Sequence, residues 1–310
     1  MVNLKHFVED IRFSEDRLKV LRDFQSNRKE YPFVVQIELT NWCNINCTMC
    51  SRKSMKRKIE FMDFELYKKL VNEVAELKVP ILKLNVMWEP FLYPKIIEAI
   101  KYAKDMGIRY VMLSTNGILL DDCIIEKLLY SWLDKINFSV EWINEEQYRK
   151  ARNNDNFFKV INNIEKLIKK RAEVWVTNPY ITVSSIINLS FLHNSEIEIR
   201  NFWKNKVDAV DITGCIVYWE LKENIRERLT NNHKCLMASF MMCILVDWSV
   251  SFCSTDYNWE LVIWNWFTQS LKNLWKSNNL NQIREYFASD DDNIIKEKLP
   301  KCYACICNNF

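Results

Sequence analysis

The chain has 310 residues, 49% hydrophobic and 27% charged, with a formal net charge of +3. That length supports one large domain with room for a small appendage, and the composition is that of an ordinary globular protein. So small a positive balance gives no electrostatic case for a nucleic-acid or membrane partner.

The first residues, MVNLKHFVEDIRF, include acidic side chains and lack the apolar core of a signal peptide. No stretch approaches the ~18 uninterrupted apolar residues of a membrane span. A cytoplasmic location is expected. In chain order, Leu4, Phe7, Ile11 and Leu18 fall at near-helical spacing and predict a polar helix over 3–30, ended by Tyr31-Pro32. Phe33–Leu39 is a β-branched, partly alternating run and reads as the first strand. The pattern then alternates. Strands are expected at Ile81–Val86, Arg109–Ser114, Lys135–Val140, Tyr180–Ile187 and Ala209–Thr213. Helices are expected between them at Lys95–Met106, Asp122–Tyr130, Asn156–Arg171 and Ser195–Lys204. Alternation of this kind predicts parallel βα units. About six of them, starting at residue 33, predict an α/β fold built on a partial (β/α)6 TIM-like barrel. Past residue 220 the pattern changes to a hairpin, Met241–Val246 with Ser249–Cys253, then a helix over Ser270–Phe287 and a cysteine-rich tail. The expected organisation is an N-terminal helix over 1–32, the barrel over 33–220 and a small Cys-rich domain over 221–310.

Eleven cysteines in a chain expected in the cytoplasm point to metal binding rather than disulfides. Directly after the first strand stands Thr40-Asn41-Trp42-Cys43-Asn44-Ile45-Asn46-Cys47-Thr48-Met49-Cys50. Three thiolates at Cx3Cx2C spacing on one loop can ligate three irons of a [4Fe–4S] cubane and leave the fourth open. An open iron can chelate the amine and carboxylate that S-adenosylmethionine supplies. The alternative is structural zinc, which wants four protein ligands, and no histidine or fourth cysteine lies nearby.

These residues resemble the radical SAM superfamily, which carries Cx3Cx2C at the end of the first strand of a partial barrel. An aromatic residue often precedes the last cysteine in that family, whereas Met49 stands here. Further landmarks follow at successive strand ends. Met87-Trp88-Glu89-Pro90 is similar to the Gly-Gly-Glu-Pro whose backbone binds the SAM amino group. Ser114-Thr115-Asn116-Gly117 resembles Thr-Asn-Gly, and Ser139-Val140-Glu141-Trp142 resembles Ser-Leu-Asp-Gly. Arg152 lies in a segment like the one whose arginine reaches the SAM carboxylate. The resemblance therefore implies Trp88, Glu89, Pro90, Asn116, Ser139 and Arg152 as cofactor-binding residues. Singly, such dipeptides mark turns; their order is what carries the likeness.

Cys235, Cys253 after seventeen intervening residues, and Cys302-x2-Cys305 form a second set. Four cysteines from a hairpin and a tail can saturate one more cluster, or a zinc ion. The set resembles a SPASM/twitch domain, in the twitch form with one auxiliary [4Fe–4S] cluster, supported by Ser270-Leu271-Lys272-Asn273-Leu274-Trp275 and Ile283-Arg284. Only Cys307 remains beyond it, which argues against a second auxiliary cluster.

Two counts are abnormal: 3 glycines and 12 tryptophans, where average usage would supply about 22 glycines. Trp88, Trp132, Trp142, Trp248 and Trp264 all stand where the family pattern has glycine. Such glycines serve positive φ or close approach to a ligand. The reading that joins both counts is UGA codons that mean glycine in the cell and were translated as tryptophan. Trp203 and Trp275 match usual tryptophan positions, and Trp42, Trp175, Trp219, Trp259 and Trp266 are left open. The rival is a tryptophan-rich variant that no longer binds SAM and persists as an Fe–S or zinc scaffold.

The resemblance implies reductive cleavage of SAM to a 5′-deoxyadenosyl radical that takes hydrogen from a substrate. An auxiliary cluster able to accept an electron suits dehydrogenation of a sugar or cyclitol. Epimerisation is a further possibility, with Cys215, at the end of a barrel strand, as hydrogen donor; as a lone cysteine it can equally be a packing residue. Maturation of a ribosomal peptide is the enzymatic alternative. The implied partners are a small-molecule or peptide substrate and a flavodoxin- or ferredoxin-type electron donor.

Overall fold

The computed structural model describes residues 30–140, 143–187, 192–214, 235, 237–289 and 291–303. The expected helix over 3–30 lies outside them, apart from residue 30.

Six strands and their helices follow the predicted alternation: β1 Val34–Ile37, α1 Phe64–Glu76, β2 Ile81–Lys83, α2 Ile96–Asp105, β3 Tyr110–Thr115, α3 Asp122–Leu129, β4 Lys135–Ser139, α4 Glu145–Arg152, α5 Phe157–Glu173, β5 Tyr180–Ile187, α6 Leu192–Trp203 and β6 Ala209–Gly214. After them come α7 Met237–Phe240, β7 Met241–Ile244, β8 Ser249–Ser251, β9 Val262–Asn265, α8 Leu271–Trp275, α9 Asn278–Ala288 and α10 Asp292–Lys298. The nine strands form one open sheet in the order β6-β5-β4-β3-β2-β1-β7-β8-β9. β1 to β6 pair in parallel, each with its sequence neighbour, as successive βα units do. This is the partial barrel. β7 joins β1 in parallel on its other side, and β8 and β9 continue antiparallel.

The helices cover one face of the sheet because their apolar residues recur at helical spacing. Tyr67, Leu70, Val71 and Val74 are the buried stripe of α1, and Phe157, Val160, Ile164 and Leu167 that of α5. They pack on Val35, Ile37, Leu82, Val111, Leu113, Ile136, Phe138, Ile181 and Val183, the alternate residues of the strands. The opposite face begins apolar: Val34, Ile81, Tyr110, Met112 and Met241 form a second cluster toward the strands' N-terminal ends. Beyond it this face turns polar.

The expected helix over Ser270–Phe287 is two helices. The Ser277 side chain caps α9 by accepting the Leu280 N–H at 3.3 Å, so the chain restarts there. Sequence reading passed over α4, α7, β9 and α10: α4 has charged side chains at five of its eight positions, α7 and β9 span four residues each, and α10 has one buried residue. Among the described residues no helix is long and apolar enough to cross a membrane.

Candidate metal centre and active site

The loop leaving β1 carries Cys43, Cys47 and Cys50, the second buried and the others half-buried. It is pinned from several sides. The Thr48 N–H and hydroxyl each donate to the Ala151 carbonyl of α4 at 2.9 Å. The Arg52 guanidinium donates to the Ile45 carbonyl at 2.8 Å, and the Glu89 N–H to the Trp42 carbonyl at 3.2 Å. Two polar side chains point donors at the sulfurs. Arg152 Nη1 lies 3.4 Å from Cys47 Sγ, and Asn116 Nδ2 lies 4.0 Å from Cys43 Sγ while donating to Asn44 Oδ1 at 2.8 Å. Burial pushes the Cys43 thiol up to about 11, against the pull of the Ile45 N–H. A coordinated thiol is deprotonated outright, and donors already aimed at the sulfurs favour that anionic form. Each thiolate of a cubane ligates its own iron, so three cysteines spread along one loop fit this group.

Glu89 opens the 3-10 turn Pro90–Leu92 and is buried. It accepts from the Phe91 N–H (3.1 Å), the Thr115 hydroxyl (2.8 Å) and the Asn116 N–H (2.8 Å). Burial raises its carboxyl to about 7; those hydrogen bonds and the charge of Arg152 oppose the rise. The ends of β2, β3 and α4 thus meet the cysteine loop and bring Glu89, Pro90, Asn116 and Arg152 beside it. Trp88 is buried, with its indole Nε1 donating to Glu38 Oε1 at 2.6 Å. Ser139 is half-buried at the end of β4, in register with Ser184 of β5.

Sequence reading missed Glu38 and Arg57. They form a buried bidentate pair, both contacts at 2.6 Å. Glu38 also accepts the Val246 N–H at 3.0 Å, and Arg57 Nε donates to the Tyr257 carbonyl at 2.9 Å. The pair ties the base of the cysteine loop to the β7–β8 hairpin and the segment after it. A carboxylate within the mostly apolar run Phe33–Leu39 was the available signal.

Of the second cysteine set, Cys235 and Cys253 are half-buried against the main core and Cys302 is buried in it. Burial raises the Cys253 thiol, while hydrogen bonds from Thr255 lower it. Cys305, Cys307, Cys215 and Trp142 lie outside the described residues. Cys243 is a buried residue of β7.

Above the apolar cluster, the face away from the helices carries short polar groups. Ser114, Asn137 and Thr182 are in register across β3, β4 and β5, and Ser139, Ser184 and Asp211 across β4, β5 and β6. The Thr182 hydroxyl donates to Asn137 Oδ1, and Asn137 Nδ2 to Ser184 Oγ, both at 2.9 Å. The Ser114 N–H donates to Asn85 Oδ1 at 2.9 Å. Val210 and Ile212 pack on the helix-side core, which turns the half-buried Asp211 to the polar face.

The profile of the radical SAM superfamily matches residues 37–186. GTP 3′,8-cyclase of Chlorobaculum tepidum is 28% identical over 165 residues, 53% of this chain and 47% of its own length. The chain spans about half the length of the curated relatives it matches. Among solved structures, Streptococcus suis SuiB bound to precursor peptide SuiA is similar with a TM-score of 0.66 at 13% identity, covering 95% of this chain and 75% of that one. BtrN in complex with AdoMet and 2-DOIA is similar with a TM-score of 0.54 at 17% identity, covering 89% and 91%. Both likenesses are of fold.

Proposed function

The chain belongs to the radical SAM superfamily, and from that premise we propose an enzyme that takes hydrogen from a small polyhydroxylated substrate, a carbohydrate or cyclitol, and oxidises or epimerises it. The observation that carries this reading is the polar face of β3 to β6. Asn85, Ser114, Asn137, Thr182 and Ser184 offer closely spaced donors and acceptors that suit several hydroxyl groups at once.

The family works with a [4Fe–4S] cluster and S-adenosylmethionine. Cys43, Cys47 and Cys50 would hold the cluster, and Glu89, Asn116, Ser139, Arg152 and the backbone around Trp88 and Pro90 would hold S-adenosylmethionine. Cys235, Cys253, Cys302 and Cys305 would hold an auxiliary cluster in a domain over 221–310. Bound there, these groups supply a 5′-deoxyadenosyl radical and a one-electron acceptor, fed by a flavodoxin- or ferredoxin-type donor. The protein's own work is to position the substrate and to move its proton. An alcohol oxidised by hydrogen-atom abstraction from carbon must also lose the hydroxyl proton, and Asp211, a carboxylate on the polar face, would accept it. For epimerisation, Cys215 would return a hydrogen atom.

Anaerobically reconstituted protein given a strong reductant should form 5′-deoxyadenosine from S-adenosylmethionine, faster when a cyclitol or sugar substrate is added. Asp211→Asn should cut substrate oxidation about 10²-fold or more while leaving substrate-free 5′-deoxyadenosine formation unchanged. Stimulation by peptides alone would replace this reading with peptide maturation. No 5′-deoxyadenosine from an iron-loaded protein would leave only a scaffold.

A further inference from the structure

Seven non-glycine residues among those described have left-handed backbones: Lys78, Trp132, Asn153, Trp175, Asn205, Trp248 and Trp259. Two are asparagine, which tolerates this region. Four are tryptophan, a residue that fills only 12 of the 310 positions and whose bulk makes positive φ an outlier.

The local hydrogen bonding shows what each place asks for. α2 ends at Gly107, φ 82°, with the Gly107 N–H donating to the Lys104 carbonyl at 2.9 Å and the Ile108 N–H to Ala103 at 3.1 Å. α5 ends the same way at Trp175, φ 56°: its N–H donates to Ala172 at 3.2 Å and the Val176 N–H to Arg171 at 3.3 Å. This is the Schellman closure, whose left-handed residue is usually glycine. Between β7 and β8, the Trp248 N–H donates to the Leu245 carbonyl at 2.9 Å and the Leu245 N–H to the Ser249 carbonyl at 2.8 Å. Residues 246–248 are therefore a three-residue hairpin loop with Trp248, φ 71°, at the glycine position of the bulge. Trp132, φ 58°, turns the chain from α3 into β4, and Trp259, φ 62°, lies in the loop closed by Asp256 on the Glu260 and Leu261 N–H groups.

Packing does not account for the indoles at two of these places. Trp175 is 93% exposed and Trp132 60%. By contrast Trp203 and Trp275 are buried in helices with ordinary backbones.

We propose that the protein made in its own cell carries glycine at 132, 175, 248 and 259, each encoded by UGA read there as glycine. The assignment reaches two positions, 175 and 259, that motif comparison left open. It does not rest on Trp88 or Trp264, whose backbones are outside the left-handed region. It also has a consequence for recognition. Trp132 and Trp175 both line the surface depression shared with Leu129, Tyr130, Val176, Thr177 and Asn178, and glycine at the two positions would remove both indoles from it.

Tandem mass spectrometry of the protein purified from its own cell should read glycine at all four positions and tryptophan at 203 and 275. The codons should be UGA at the four and UGG at the two. Tryptophan read at any of the four overturns the assignment. A stability arm on recombinant protein is independent of the source. Trp175→Gly and Trp132→Gly should each raise the urea midpoint, whereas Trp203→Gly should lower it. A fall at 175 and 132 would count against the proposal in the same way.

Discussion

Glu38 shows how much one side chain decides at the residue scale. Its carboxylate holds Arg57, the Trp88 indole and the Val246 N–H in a buried site. Glu38→Ala would strand the Arg57 charge, and a stability loss of about 3–5 kcal/mol is expected in denaturant unfolding. Glu89 gives a pH signature in the metal-free protein. Its carboxyl titrates at about 7 when folded against an ordinary 4.5, chiefly because it is buried. The folded state therefore holds the proton more tightly, and stability falls as pH rises from 4.5 through 7. Urea midpoints of Glu89→Gln measured across that window should lose this slope; an unchanged slope would assign it to other groups.

At the scale of elements, Gly117 is the counterpart of the four tryptophans. Its φ is 77°, and an added Cβ would meet Phe138 Cδ1 at 3.0 Å and Val160 Cγ1 at 3.1 Å. Asn163 of α5 donates to its carbonyl at 2.9 Å, so this turn locks β3 against α5. Gly117→Ala combines a disfavoured φ with overpacking and should cost about 1–3 kcal/mol in denaturant unfolding. Ser277 governs a different junction. It caps α9 after α8 has ended, and Ser277→Ala should lower stability by about 1 kcal/mol, measured the same way.

On the scale of the whole molecule, β7 brings the C-terminal part onto the sheet beside β1, the strand that leads into the cysteine loop. Cys253, two residues past β8, then belongs to the same sheet system as the loop of Cys43, Cys47 and Cys50, and the losses of the two should separate. Cys43→Ala should abolish 5′-deoxyadenosine formation. Cys253→Ala should remove about half the iron of a protein with two four-iron clusters, while the first cluster keeps its spectroscopic signature. Iron analysis and electron paramagnetic resonance on the two variants distinguish the cases; equal iron in the Cys253 variant and the parent would make the second set a zinc or packing site.

The sequence by itself determined the order of βα units, because helical and strand periods are local and each element's apolar face must find a partner. It also marked Cys43, Cys47 and Cys50 as candidate cluster ligands, since ligation demands thiolates at short spacing, while Glu89, Asn116 and Arg152 came as candidates from the family resemblance alone. Only the tertiary structure decided that β1 has neighbours on both sides, and that Glu38 and Arg57, nineteen residues apart, meet in the core. Pairing across such distances leaves no periodic trace in the chain. The polar face around Asp211 is of the same kind, assembled by register between strands that no local pattern links. The tryptophans lie between these cases. Their excess was legible in the composition, but which of them occupy glycine's backbone became visible only in φ, since Trp175 and Trp259 carry no motif that sets them apart from the others.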